Sequence, residues 1–119
     1  MKLIVAGGRD FTDTNRMIAE LQKLVESGEI TDSPELVCGM ARGADLTAYN
    51  LWNEAGMVIH EFHADWDRLG KRAGYVRNIE MAKFADVLVA FWDGNSKGTK
   101  HMIDIMTRFN NKKVIVVRY

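Results

Sequence analysis

The sequence predicts an α/β fold, a Rossmann-like three-layer sandwich around a five-stranded parallel sheet. Three observations lead there. Five short apolar runs alternate with amphipathic stretches of helical period, the pattern of repeated β-α units. Four of those runs lead directly into polar or glycine-bearing segments, as strands do when their carboxyl ends share one rim. The chain of 119 residues is 47% hydrophobic and 27% charged, an ordinary balance for one globular domain with a proper core, and we read residues 1–119 as that one domain.

The first unit starts at Met1–Phe11, MKLIVAGGRDF. Lys2–Ala6 is the short apolar run of a strand covered on both faces. Gly7 and Gly8 allow a sharp turn, and Arg9 and Asp10 place charge immediately after it. A helix follows within Thr12–Gly28: Thr12 or Thr14 can cap it, with Asp13 favourable near its positive end, and Met17, Ile18, Leu21, Leu24 and Val25 form its apolar stripe. Gly28 ends it, and Glu29–Glu35, with the only proline, is a surface connection.

Leu36–Cys38 is the second strand, leading into Gly39-Met40-Ala41-Arg42-Gly43-Ala44-Asp45. A helix from Ala44 to about Ala55 has Leu46, Tyr49, Leu51 and Trp52 as packing candidates. Met57–Phe62 is the third strand, and His63–Gly74 is less regular. A helix from about Tyr75 to Phe84 carries Val76, Ile79, Met81 and Ala82. Val87–Trp92 is the fourth strand, followed by the turn Asp93–Thr99 and a helix over Thr99–Phe109 with Met102, Ile103, Ile105 and Met106 inward. Lys113–Arg118 is the fifth strand. Two orders suit such a chain, 3-2-1-4-5 and 2-1-3-4-5. The first makes strands one and four neighbours, so both glycine turns open on one crevice, and it is the order expected here.

Sixteen basic residues balance sixteen acidic ones, so no global field draws the protein to nucleic acid or an anionic membrane. No apolar run approaches the roughly 20 residues of a membrane span, and no leader pattern opens the chain. Cys38 is the only cysteine, which excludes an internal disulfide and makes a cytoplasmic location the expectation. Between Val37 and Gly39 it reads as a small core residue. His60, His63 and His101 lack metal-site spacing, and neither a metal nor a resident cofactor is expected.

The polar segments after the strands are the candidate site. In Asp93–Thr99, Gly94 and Gly98 expose backbone N–H groups and Ser96 and Thr99 add hydroxyls near a helix start, which suits a phosphate. The order of a P-loop is absent, and Gly7-Gly8-Arg9 does not match the dinucleotide fingerprint. Arg42, between Gly39 and Gly43, is placed to grip an anion with its planar fork. Asp45 either complements the dipole of its helix or accepts from a ribose hydroxyl. Arg77 supplies a charge and Asn78 both a donor and an acceptor, with Lys71 and Arg72 nearby and Asp65 in the same rim cluster. Trp66 and Trp92 are candidates to stack on a base, with Phe11 third.

These residues also resemble a known family. GGRDF at 7–11, G-x-A-R-G-A-D at 39–45, A-D-W at 64–66, G-K-x-A-G at 70–74, R-N-x-x-M at 77–81 and G-x-S-x-G-T at 94–99 are similar to the SLOG superfamily. The YspA-like, cpYpsA-related branch, with many short bacterial or phage chains, is the nearest. The resemblance spans essentially the whole chain. It implies a Rossmann-like fold that binds nucleotides or nucleotide-derived ligands, ADP-ribose-like molecules among them, and frequently a homodimer. The related LOG phosphoribohydrolases carry P-G-G-x-G-T-x-x-E. Against that pattern Met102 stands at the position of the catalytic Glu, and Pro-Gly-Gly is absent. A thioether cannot act as a general base or stabilise an oxocarbenium ion, and Asp104, two positions on, faces elsewhere.

The expectation is therefore a sensor or sequestering protein for a nucleotide-derived small molecule. Gly7–Arg9 and Gly94–Thr99 hold phosphates, Arg42 and Arg77 neutralise them, Asp45 or Asn78 binds ribose, and Trp66 walls the base. Two alternatives stay open: an N-glycosidic or phosphoribosyl-cleaving hydrolase using Asp10, Asp45 or Asp93, and a nucleic-acid module, which the zero net charge disfavours.

Overall fold

The computed structural model describes residues 1–119. Strands β1 (Lys2–Gly7), β2 (Glu35–Cys38), β3 (Ile59–Glu61), β4 (Val87–Trp92) and β5 (Lys113–Arg118) form one sheet in the order β3-β2-β1-β4-β5. Every neighbouring pair is parallel, so all five carboxyl ends share an edge. This is the expected sheet and the expected order.

Alternation along the strands divides the core between two faces. Leu3, Val5, Val87, Val89 and Phe91 point to the side covered by α1 (Thr14–Glu26) and α2 (Ala44–Glu54), where Met17, Leu21, Ala48 and Trp52 complete the layer. Ile4, Ala6, Leu88 and Ala90 point to the side covered by α4 (Ala73–Phe84) and α5 (Lys97–Thr107), against Met81, Ala82, Met102, Ile105 and Met106. Between β3 and α4 lie a one-turn helix α3 (Trp66–Leu69) and a 3-10 turn (Gly70–Arg72). No helix is long and apolar enough to cross a membrane.

Several local expectations are corrected. Asp13, not Thr12 or Thr14, caps α1, its carboxylate accepting from the Arg16 N–H at 2.9 Å. The third strand shrinks from Met57–Phe62 to Ile59–Glu61 because β2 offers it only Leu36, Val37 and Cys38 as partners. On α2 the buried face is Ala44, Asp45, Thr47, Ala48 and Trp52, while Leu46, Tyr49 and Leu51 are half-buried. Small residues win there because the helix start presses on β1: a methyl group added to Gly7 would lie 2.8 Å from the Ala44 Cβ. On α4, Ile79 is exposed and Asn78 takes the buried position. Helix α5 begins two residues before Thr99, so Gly98 belongs to its first turn.

Candidate functional site

The carboxyl edge carries a cleft of two adjoining lobes. The first, about 520 Å³, lies where β1 and β4 separate, between the starts of α2 and α5 and the flank of α4. It is lined by Gly7, Arg9, Asp10, Asp45, Arg77, Asn78, Asp93, Ser96, Gly98 and Thr99 among the expected residues, and by Ala6, Ala41, Met81, Lys97 and Met102 besides. The second, about 420 Å³, is lined by Gly39, Arg42 and Trp66 with Met40, Ala41, His63 and Ala64, and it shares Arg9 and Arg77 with the first.

The α5 side is built around Asp93. Its Oδ1 accepts from the backbone N–H groups of Asn95 and Ser96, both at 2.8 Å, and these bonds hold its carboxyl below the usual carboxylate range. The turn is thereby fixed and leads into α5. Ser96 Oγ and Thr99 Oγ1 bond to each other at 3.1 Å across the first helical turn. Trp92 stays behind this loop, donating its indole N–H to the Ser96 carbonyl at 3.1 Å, so it braces the turn and leaves base stacking to others.

Asn78 connects α4 to this turn. Its side-chain nitrogen donates to the Gly98 carbonyl at 3.4 Å and lies 3.2 Å from His101 Nδ1. Burial pulls His101 below its ordinary value, which favours the neutral ring that such a contact needs. The neighbouring Arg77 donates from Nη1 to the Gly39 carbonyl at 3.0 Å and from Nη2 to Asn78 Oδ1 at 3.5 Å. Its Nε is buried with no partner. None of the ion pairs in the molecule involves Arg9, Arg42, Arg77 or Lys97. The cleft therefore gathers cations that have no ion-pair partner in the protein.

Asp45 is the buried acid of the site, 7% exposed at the start of α2. Its Oδ2 accepts from the Ala41 N–H at 3.3 Å. Loss of water pushes its carboxyl up to about 6, with the Ala41 N–H and the Arg77 charge acting in the opposite direction. Cys38 beside it is fully buried and its thiol is pushed up to about 12 by burial, so it packs in the core, in agreement with the sequence reading.

Not every expected residue faces the cleft. Phe11 is a core residue, 4.7 Å from Phe91 in a stacked pair and 4.9 Å from Tyr119 edge-on. Gly8 and Gly43 stand behind the wall, where the Gly8 carbonyl accepts from the Ala44 N–H at 3.1 Å. Asp65 caps α3, accepting from the Arg68 N–H at 3.2 Å and from Arg68 Nε at 2.9 Å. Lys71 is exposed and lines neither lobe. Gly94 has a positive φ and abuts Arg118. The sequence does not single out Lys97 or Tyr119, and it weighs His63 and His101 only as metal ligands; the Tyr119 hydroxyl donates to Asp10 Oδ1 at 2.6 Å. Met102 is 2% exposed and borders the first lobe, and Asp104 points to solvent, paired with Lys100 at 2.8 Å. No three His, Cys, Asp or Glu side chains converge as metal ligands.

A family model described as the YspA, cpYpsA-related SLOG family matches residues 1–69. The chain belongs to that family. A relative in Mycobacterium phage D29, the Gene 61 protein, is 38% identical over 109 residues, covering 84% of this chain and 83% of the phage protein. No solved structure matches the chain significantly. The stretch matched by the SLOG model runs from β1 to the end of α3, and so includes Arg9, Arg42, Asp45 and Trp66 but neither Arg77 nor the α5 turn. Membership suggests a nucleotide-related ligand or a function like that of the LOG enzymes.

Proposed function

We propose that this SLOG protein binds a nucleotide-derived small molecule, a nucleoside phosphate or an ADP-ribose-like compound, in the cleft at the carboxyl edge, and acts as a sensor or sequestering protein in the cytoplasm. The observation that carries the reading is the set of Arg9, Arg77 and Lys97, none of them ion-paired, which line one lobe together with the first turn of α5. Backbone N–H groups and cations then meet the same phosphate, and the oxygens of Asp45 and Asp93 stand ready to accept from sugar hydroxyls.

A thermal-shift series with AMP, ADP, ADP-ribose, NAD and cyclic nucleotides tests it. A ligand present at about 100 times its Kd stabilises the fold by roughly 2.7 kcal/mol. At least one of these compounds is expected to do so and to be recovered intact by chromatography, and the gain is expected to vanish in Arg77→Ala. No shift with any of them would overturn the reading. One observation favours hydrolysis as a second reading: Asp45, a carboxyl that burial pushes up to about 6, borders the lobe, where it would serve as the proton donor or acceptor. Release of free base, abolished by Asp45→Asn with binding intact, would establish that reading and remove the sequestering one.

A further inference from the structure

The cleft is larger and more divided than a single nucleoside phosphate requires. Each lobe, at about 520 and 420 Å³, falls within the size range of a small-molecule site by itself. The lobes also differ chemically. The first contains Asp10, Asp45 and Asp93 beside its cations, a mixture suited to a hydroxyl-bearing sugar. The second has no carboxylate in its lining; it has Arg42, His63 and the half-exposed ring of Trp66. Arg9 and Arg77 line both and stand at the junction. The buried Arg77 Nε without a partner lies at that junction as well.

We propose that the second lobe is a separate subsite for a planar aromatic group stacked on Trp66. The ligand is then a two-ended molecule: two nucleoside-like ends joined by a diphosphate linker that crosses the junction between Arg9 and Arg77. This rests on the nucleotide reading above and narrows it. The charge distribution supports it, because the cations shared by the lobes meet the middle of such a ligand, where its negative charge is concentrated. Trp66 supports it too. Its ring is 51% exposed although it borders a cavity, whereas Trp52 is buried and Trp92 is held against Ser96. A large exposed aromatic beside unpaired cations forms a stacking platform.

The test uses the intact protein, its Trp66→Ala variant and two probes, AMP with one end and diadenosine diphosphate with two, read by calorimetric titration. Trp66 belongs to neither core cluster, so the variant is expected to fold as the parent protein does. The expected result is tighter binding of diadenosine diphosphate than of AMP, a roughly tenfold loss of the former in Trp66→Ala, and AMP affinity unchanged within about twofold. Binding of AMP as tight as that of diadenosine diphosphate would overturn the two-ended ligand and leave the nucleotide reading standing. An equal loss for both probes in Trp66→Ala would place a single base in the second lobe, with the same consequence. Binding of neither probe, in a protein that also ignores the nucleotide series above, would overturn both.

Discussion

The two glycine-bearing turns at the heart of the cleft look alike in sequence and serve different physics. In Gly7–Phe11 the glycines are there for the protein. A methyl group on Gly7 would lie 2.4 Å from the Phe91 carbonyl oxygen, and one on Gly43, which has φ +85°, 2.3 Å from the Gly8 carbonyl oxygen. The first turn and the Gly39–Asp45 segment are thus interlocked backbone against backbone, and the Ala44 N–H to Gly8 carbonyl bond seals them. In Asp93–Thr99 the two glycines divide: Gly94 has a positive φ of +89° and abuts Arg118, while Gly98 reverses the situation of Gly7. Gly98 meets nothing within 4 Å, so its missing side chain is space left open at the cleft. One signal, glycine after a strand, marks a rigid wall at Gly7 and an unfilled surface at Gly98.

The contrast breaks most visibly at the wall. Gly7→Ala and Gly43→Ala are each expected to cost at least about 3 kcal/mol, since the obstructing atoms are backbone and cannot swing aside, and Gly43 carries φ strain as well. A chemical denaturation midpoint would register that loss; a variant of either kind as stable as the parent would refute the interlock. Gly8→Ala should cost less, because the atom it meets is the hydroxyl of Tyr119, the far end of a movable side chain.

Asp45 shows that the rigid wall also carries a stability cost. Its carboxyl titrates near 6 in the fold against an ordinary 3.8, so the folded state holds its proton more tightly than the unfolded state. The stability this contributes is fully present below about pH 3.8 and is lost as pH rises through about 6. By pH 8 the penalty approaches about 3 kcal/mol. Asp45→Asn should therefore raise the melting temperature at pH 8 and lose that advantage near pH 4. Melting curves at the two pH values check the sign, and an Asn variant that is less stable at pH 8 would show that the charge is needed by the fold.

At the capped start of α1, Asp13→Ala should cost about 1 kcal/mol, the usual worth of such a cap. The smallest effect on stability belongs to the open turn. Gly98→Ala sits in the first turn of α5 with free space around it, and helix propensity favours Ala, so the melting temperature should hold or rise slightly. Ligand affinity should fall nonetheless as the cleft narrows. Gly43→Ala and Gly98→Ala are thus expected to separate stability from binding in opposite directions.

How far the residues alone reach follows from the same contrast. β4 and β5 were read to the residue, because continuous apolar runs bounded by polar residues carry their own limits. The sheet order was legible because two ligand-type turns make sense together only if β1 and β4 are neighbours. What could not be read depends on distant partners. Tyr119 reaches Asp10 across 109 positions, and His101 reaches Asn78 across 23. Phe11 looked like a base-stacking candidate because its sequence neighbours are charged; only the fold places Phe91 and Tyr119 around it. Asp65 sat in a polar cluster, and its commitment to Arg68 became evident only once α3 existed.

The most direct test of the cleft as the binding site is an amide chemical-shift map of the isotope-labelled protein titrated with ADP-ribose. The largest changes are expected at Arg9, Ala41 and Lys97–Thr99 and at the Arg77 Nε–H, the groups that line the two lobes. Changes confined to the apolar groove between α1 and α2, around Ile30 and Pro34, or no change at saturating ligand, would contradict the account.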